Sequence, residues 1–183
     1  FGESVAISAA SIVVGAKGND DAGQSSGSAY VFHYNGSGWV EQQKLTASDG
    51  ATGAQFGFSV TVDGELIVVG AFFDIDAGSR SGSAYVFRYN GTTWIEEQKI
   101  TASDAAPYDW FGSIVSISGE VIVVGSLQDD DAGLDSGSVY VYRLNGSSWI
   151  EEQKLTASDA DGGDYFGYGL AISPDFIVVG ASM

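Results

Sequence analysis

Cysteine is absent from this 183-residue chain, proline occurs twice, and histidine occurs once. Without cysteine there is no disulfide framework, no zinc–thiolate site and no thiol nucleophile. The single histidine, His33, falls where Arg88 and Arg143 stand in related segments. It therefore reads as a variable, exposed strand position rather than a catalytic base, and serine without a base is not a nucleophile. Carboxylates abound, but in dispersed loops rather than around one cleft. The expectation is a protein that is not an enzyme.

Basic residues are also scarce: seven Lys and Arg face 24 Asp and Glu, a formal charge of −17. Phosphate recognition needs basic patches, so nucleic acid is excluded as a partner, and an anionic membrane surface is disfavoured. No apolar run approaches the length of a membrane span. The acidity has two readings, solubility through self-repulsion and Ca²⁺ binding through carboxylate oxygens. No signal peptide precedes Phe1, which is already the first residue of a repeat, so the chain reads as a fragment.

What the chain has is repetition. Phe-Gly occurs at Phe1, Phe56, Phe111 and Phe166, each 55 residues after the last. Each copy opens a short alternating strand, a tight turn and an apolar run. The runs close on Gly15-Ala16, Gly70-Ala71, Gly125-Ser126 and Gly180-Ala181. Residues 56–110 serve as the model unit. In Phe58–Val62 the period of two predicts a half-buried strand, and Asp63-Gly64 a two-residue hairpin. The matching turns are Ala9-Ala10, Ser118-Gly119 and Pro174-Asp175. The continuous run Leu66–Gly70 predicts a strand buried on both faces. Gly82–Tyr89 predicts a third strand, followed by a type I′ turn at Asn90-Gly91, with Asn35-Gly36 and Asn145-Gly146 as equivalents. The fourth strand, from Trp94 to Thr101, is the most polar and suits a sheet edge.

The predicted fold is all-β, built from four-stranded antiparallel blades of the β-propeller type. Residues 1–55, 56–110 and 111–165 form three full repeats, and 166–183 form the inner hairpin of a fourth. Phe1, Phe56, Phe111 and Phe166, with Trp39, Trp94 and Trp149, are expected to pack between neighbouring blades. Both termini supply inner strands, so a ring cannot close by joining the ends. The chain reads as part of a larger propeller, or as part of an open or filamentous array.

The Phe-Gly strand, the Val-Val-Gly-Ala strand and the Gly-Ser-Ala-Tyr-Val-Phe strand together resemble FG-GAP repeats, which build the propeller of integrin α-subunits and of many secreted or surface proteins. The resemblance covers the whole chain. Lys17, Phe72, Leu127 and Ser182 stand where the family phrase has proline. In integrin-type repeats an acidic Ca²⁺ loop joins the first two strands; here a tight turn does, so that site is not carried over. The chain is more similar to the bacterial and protist surface-protein type.

Two acidic loops per repeat remain. One carries Asn19 and Asp21, Asp74 and Asp76, or Asp129 and Asp131, each pair followed by Ala-Gly. Side-chain oxygens at i and i+2 before a glycine turn begin many Ca²⁺ loops; they also make Asx turns. The other loop carries Asp49, Asp104 or Asp159, placed to cap a neighbouring blade or to add metal oxygens. Asn35, Asn90 and Asn145 are N-glycosylation sequons at hairpin tips. The functional expectation is a non-enzymatic, extracellular or cell-surface adhesion scaffold presenting loops to protein or glycan partners. Its alternatives are a lectin, with sugars stacked on Tyr108, Trp110 or Tyr165, and a filament subunit whose partners are further copies of the repeat.

Overall fold

The structure, a computed structural model, describes residues 1–182. Among them there is no helix, and no membrane-spanning helix. Strands β1 (Val5–Ser8), β2 (Ser11–Ala16), β3 (Ser28–Tyr34) and β4 (Trp39–Leu45) form the first sheet, blade 1. Blade 2 is β5 (Ser59–Asp63), β6 (Leu66–Ala71), β7 (Ser83–Tyr89) and β8 (Trp94–Ile100). Blade 3 is β9 (Phe111–Ser118), β10 (Val121–Ser126), β11 (Ser138–Asn145) and β12 (Ser148–Leu155). A two-stranded hairpin, β13 (Gly169–Ile172) and β14 (Ile177–Gly180), follows. Every pairing within a sheet is antiparallel between consecutive strands. First strands approach one another from blade to blade, as β1 with β5 and β5 with β9, so they form the inner edge. The sheets do not close into a ring.

Alternation along each strand sends side chains to both faces of a blade, and facing sides of successive blades bury one another. Val13, Ala29, Val31 and Leu45 of blade 1 meet Phe56, Val60, Val62, Ile67, Tyr85 and Trp94 of blade 2 in one cluster. Leu66, Val68, Val86 and Ile100, on the opposite face of blade 2, meet Phe111, Val115, Ile122, Tyr140 and Trp149 of blade 3 in a second. The hairpin adds Leu170, Ile172, Ile177 and Val179 against Val123, Val139 and Val141. The core is thus a series of seams between sheets. The opening phenylalanines of blades 2 and 3 are anchored in these seams: Phe56 donates its N–H to Ser26 O of the preceding unit and packs edge-on against Tyr85. Phe111 does the same with Ser81 O and Tyr140.

The glycine of Val-Val-Gly is required by the same seam. A Cβ on Gly70 would lie 1.9 Å from Gly112 O, and one on Gly15 would lie 2.0 Å from Gly57 O. The Phe-Gly and Gly-Ala halves of the repeat therefore touch through their backbones, across successive blades.

Two turn expectations need correction. Asp63 pairs with Leu66 and Ser118 with Val121, so the loop residues are Gly64-Glu65 and Gly119-Glu120, one step later than the sequence reading. Ala9-Ala10 and Pro174-Asp175 lie at the expected places: Ser8 pairs with Ser11, and Ser173 and Phe176 exchange both backbone hydrogen bonds around Pro174-Asp175. The Asn-Gly turns are not type I′, which needs positive φ at both central residues. In blades 1 and 2 the loops are four residues long, and positive φ falls on Gly36 and Gly91 but not on the asparagines. Asn35 Oδ1 instead accepts the N–H groups of Ser37 and Gly38, and Asn90 Oδ1 those of Thr92 and Thr93. In blade 3 the loop is Gly146-Ser147 and Asn145 still belongs to β11.

Gly70→Ala is expected to destabilise the fold by about 3 kcal/mol, the upper end of overpacking costs, because backbone must move on both sides of a seam. Gly38→Ala, in open space, should stay within about 0.5 kcal/mol. Denaturant unfolding of the two variants checks the contrast; equal midpoints would refute it.

Candidate functional site

The concentrated polar chemistry lies at the outer margin of each seam, and its organising residue is a lysine near the end of the polar fourth strand. Lys99 Nζ lies 2.6 Å from Asp49 and 2.8 Å from Asp74, and also contacts Asp76. Lys154 repeats this, at 2.8 Å from both Asp104 and Asp129 and in contact with Asp131. An ammonium has three N–H donors, and each lysine here meets three carboxylates. Blade 1 has the reduced form: Lys44 bonds Asn19 Oδ1 at 3.2 Å and contacts Asp21.

A tyrosine completes each cluster. Tyr85 OH lies 2.7 Å from Asp49 and 2.8 Å from Asp74, and Tyr140 OH stands likewise to Asp104 and Asp129. One hydroxyl proton can serve only one of the two carboxylates at a time, so the ammonium must hold the other. Asp49 and Asp104 come from the preceding blade, whereas the remaining members come from the blade that carries the lysine. The Lys99 and Lys154 clusters therefore each cross a seam. Burial pushes the Asp49 carboxyl up, but hydrogen bonds from Lys99 and Tyr85 outweigh it and hold the group below its ordinary value; Asp104 follows suit with Lys154 and Tyr140. Burial pulls the Lys99 and Lys154 ammoniums down, and their carboxylate partners more than reverse this.

The seam carries two further polar contacts, both repeated. Gln43 clamps the Trp94 backbone, donating to its C=O at 2.8 Å and accepting from its N–H at 2.7 Å; Gln98 clamps Trp149 in the same way. Ser48 donates its N–H and hydroxyl to Glu96, and Ser103 to Glu151. Adjacent residues of a regular strand point to opposite faces, yet Gln42 and Gln43 both reach blade 2. The register shift between Val31 and Phe32 leaves Gln42 as an extra, bulged residue. It can then accept from Trp94 Nε1 and donate to Tyr89 OH.

The residues singled out from sequence separate here. Asp74, Asp76, Asp129 and Asp131 join the lysine clusters; Asn19 and Asp21 join the Lys44 cluster. Each full triad places carboxylate oxygens within 4.8 Å of one another, a geometry that could hold a metal. A lysine ammonium already bonds all three carboxylates, so the donor set does not fit a divalent cation while that lysine stays. The i, i+2 turn chemistry is present as well: Asn19 Oδ1 accepts from Asp21 N–H, and Asp129 Oδ1 from Asp131 N–H. Phe56, Phe111, Trp94 and Trp149 are buried in seams and Phe166 is half-buried, while Phe1 and Trp39 are exposed. Asn35, Asn90 and Asn145 are exposed at hairpin tips. Trp110 is half-buried against Phe72 and Phe73, leaving Tyr108 as an exposed aromatic of that loop. The lysines, glutamines and serines of the seams are what sequence reading missed. Their signal was available, since Gln43-Lys44, Gln98-Lys99 and Gln153-Lys154 recur at the 55-residue spacing.

Four-stranded sheets stacked face to face, inner edges together, define a propeller-type repeat protein. Sequence comparison places the chain more narrowly. The FG-GAP repeat matches over residues 1–32, 39–87, 94–142 and 149–183, and the chain belongs to that family. Among solved structures it is similar to Sqt1 of Saccharomyces cerevisiae, at a TM-score of 0.51 and 12% identity, over 86% of this chain and 36% of that one. This likeness concerns the fold. No curated protein matches.

Asp109 yields a pH prediction. It is buried, and burial raises its carboxyl to about 6, with Asp129 adding to the effect and a hydrogen bond from Ala106 N–H opposing it. A carboxyl whose folded pKa lies above the ordinary 3.8 binds its proton more tightly when folded. Its penalty is full above pH 6 and is relieved as pH falls towards 4. Asp109→Asn should therefore stabilise the chain at pH 8, by on the order of 2 kcal/mol, and change little at pH 4. The lowered Asp49 and Asp104 act oppositely: their stabilisation is present above the ordinary carboxylate range and is lost below it. Thermal unfolding across pH 3–8 checks both signs; a constant Asp109→Asn effect would contradict the assignment.

Proposed function

We propose that this chain is a non-enzymatic scaffold module of an extracellular or cell-surface protein, and that it presents one loop-bearing end to a protein partner. The observation that carries this reading is where the polar and the apolar groups lie. The carboxylates, lysines and glutamines that could form a reactive site are tied into seams, and the single His33 is exposed on β3 away from them. The second-to-third-strand loops and the loops between units lie together, bonded through Gly53 N–H to Gln24 O, Tyr108 N–H to Ser79 O and Gly163 N–H to Leu134 O. At this end Ile75, Tyr108 and Leu134 are exposed by 58%, 54% and 73%. Exposed apolar side chains on loops held by a rigid sheet suit protein recognition. A glycan partner is favoured less, because Trp110 packs against phenylalanines instead of offering its face. Membership of a family of propeller-type interaction repeats supports the scaffold role.

Three finer readings accompany this. Lys99 and Lys154 are the resident cations of the acidic triads, so Ca²⁺ would bind only by displacing them. The exposed sequons at Asn35, Asn90 and Asn145 are glycan acceptors if the chain passes through a secretory route, and added hexose in the intact mass of native material would show it. An extended array is the second architectural reading.

Capture experiments with purified chain on cell-surface extracts and on a glycan array test the proposal, each with chelator and with millimolar Ca²⁺. Binding of a protein, lost in an Ile75→Glu/Leu134→Glu variant and indifferent to Ca²⁺, is expected. Binding unaffected by that variant, or found only with Ca²⁺, would refute the corresponding part.

A further inference from the structure

Seven basic side chains face 24 acidic ones in this chain, and six of the seven stand in ion pairs: Lys17, Lys44, Arg88, Lys99, Arg143 and Lys154 each meet at least one carboxylate. Arg80 is the exception, with no carboxylate partner and no side-chain hydrogen bond among the described residues. Its guanidinium carbon lies 4.4 Å from the centre of the Phe73 ring. That ring is fixed in turn, with its centre 4.0 Å from that of Phe72 and 5.7 Å from that of Trp110. The Arg80 C=O accepts the Trp110 N–H at 3.2 Å. An unpaired cation is thus held in place by its backbone and by an aromatic face.

Comparison between units shows that the fold does not require this pair. The left-handed φ of Arg80, 56°, is shared by Ser25 at 51° and Asp135 at 55°, so the backbone shape belongs to every unit. The side chains do not. Ser25, Arg80 and Asp135 share one repeat position, and Gly18, Phe73 and Gln128 another. An arginine on an aromatic face therefore occurs in the second unit alone. The two residues border a cleft of about 340 Å³, lined also by Thr52 and Gln55 from the end of the first unit and by Ile75. The cleft lies across the complete seam between blades 1 and 2, and no carboxylate lines it. In so acidic a chain, a cleft that holds the unpaired cation and excludes every acid is a site for an anion from elsewhere.

We propose that this cleft binds one carboxylate of the partner protein, an aspartate or glutamate side chain presented beside an apolar residue. Arg80 takes the carboxylate with its fork of N–H donors, and the Thr52 hydroxyl and Gln55 amide supply further donors at the cleft wall. Phe73 and the exposed Ile75 receive the apolar neighbour. The rest of the chain decides the charge of the ligand. One guanidinium answers one negative charge, whereas a phosphate group carries about −1.5 to −2. Its second charge would face a protein of net charge −17 with no cation to meet it. The inference rests on the reading of this loop-bearing end as a protein-interaction surface, and it names the chemistry that the surface selects.

The test follows the backbone and arginine Nε–H resonances of the isotope-labelled full chain by NMR, at about 0.15 M salt so that long-range charge effects are screened. The probes are the peptide acetyl-Gly-Leu-Asp-Gly-amide, the same peptide with asparagine for aspartate, and inorganic phosphate. Saturable shifts at Arg80, Gln55 and Ile75 with the aspartate peptide are expected. The asparagine peptide on the wild-type chain, and the aspartate peptide on Arg80→Ser, should each bind roughly tenfold more weakly, the loss of a charged hydrogen bond. Arg80→Lys, which keeps the charge but not the fork, should recover only part of the affinity. Since Ser25 already occupies this position in the first unit, Arg80→Ser should leave the thermal midpoint unchanged. No binding, equal binding of the two peptides, shifts that ignore Arg80→Ser, or phosphate acting at lower concentration than the peptide would overturn the proposal. The two readings fail separately. Capture of a protein from cell-surface extracts that survives Arg80→Ser would keep the interaction surface and overturn the carboxylate site. Peptide binding with no protein captured would support the carboxylate site and overturn the protein-partner reading.

Discussion

An ammonium shared between two sheets is the constraint on which the rest of this structure depends. Blades with apolar faces will stack, but burial alone is non-directional and does not fix their register. Lys99 and Lys154 supply that direction. Each reaches from the fourth strand of its own blade to an aspartate of the preceding one, and a tyrosine hydroxyl lies between the same carboxylates. The geometry is exacting because three donors meet three acceptors. At the inner edge, where β1, β5 and β9 lie closest together, the approach is set instead by glycine. There Gly15 and Gly70 admit the backbone of the next unit where no side chain could fit. Register is thus set at both ends of the seam, by charge outside and by the absence of a Cβ inside.

Seen this way, the acidity of the chain has two components. Part of it stays at the surface, where self-repulsion favours solubility. Part is gathered into clusters in which one cation answers three anions. That arrangement resembles a metal loop in its ligand types and differs in what occupies the centre. A tethered ammonium balances the three carboxylates from within the chain, where a metal loop would need a bound ion.

Much of this was legible in the sequence, and the boundary is physical. The four strands, their sheet order and the Phe-Gly opening follow from local patterns: period two around Val60 and Val62, a β-branched run at Leu66–Gly70, and a 55-residue recurrence. The burial of Trp94 and Trp149 follows from the same stacking logic. The hairpin geometry at Asn35 and Asn90 did not, because the side-chain oxygen competes with the turn expected from the Asn-Gly pair. The lysine clusters were not read because each lysine lies 23 to 50 residues from the carboxylates it bonds. A turn reveals itself within four residues; a seam requires knowing which loop faces which strand. Counting the scarce cations, three of which recur beside glutamine, was the route to them.

The account stands or falls on whether the cross-seam contact stabilises the fold as a pair. A double-mutant cycle on Asp104 and Lys154, using Asp104→Asn, Lys154→Met and both together, measures this by chemical denaturation at neutral pH. Allowing for solvent screening at the exposed carboxylate, the predicted coupling is about 1 kcal/mol, the two single substitutions together costing more than the double by that amount. Additive effects, with a coupling indistinguishable from zero, would mean that the blades are held by burial and glycine alone, and would contradict the account.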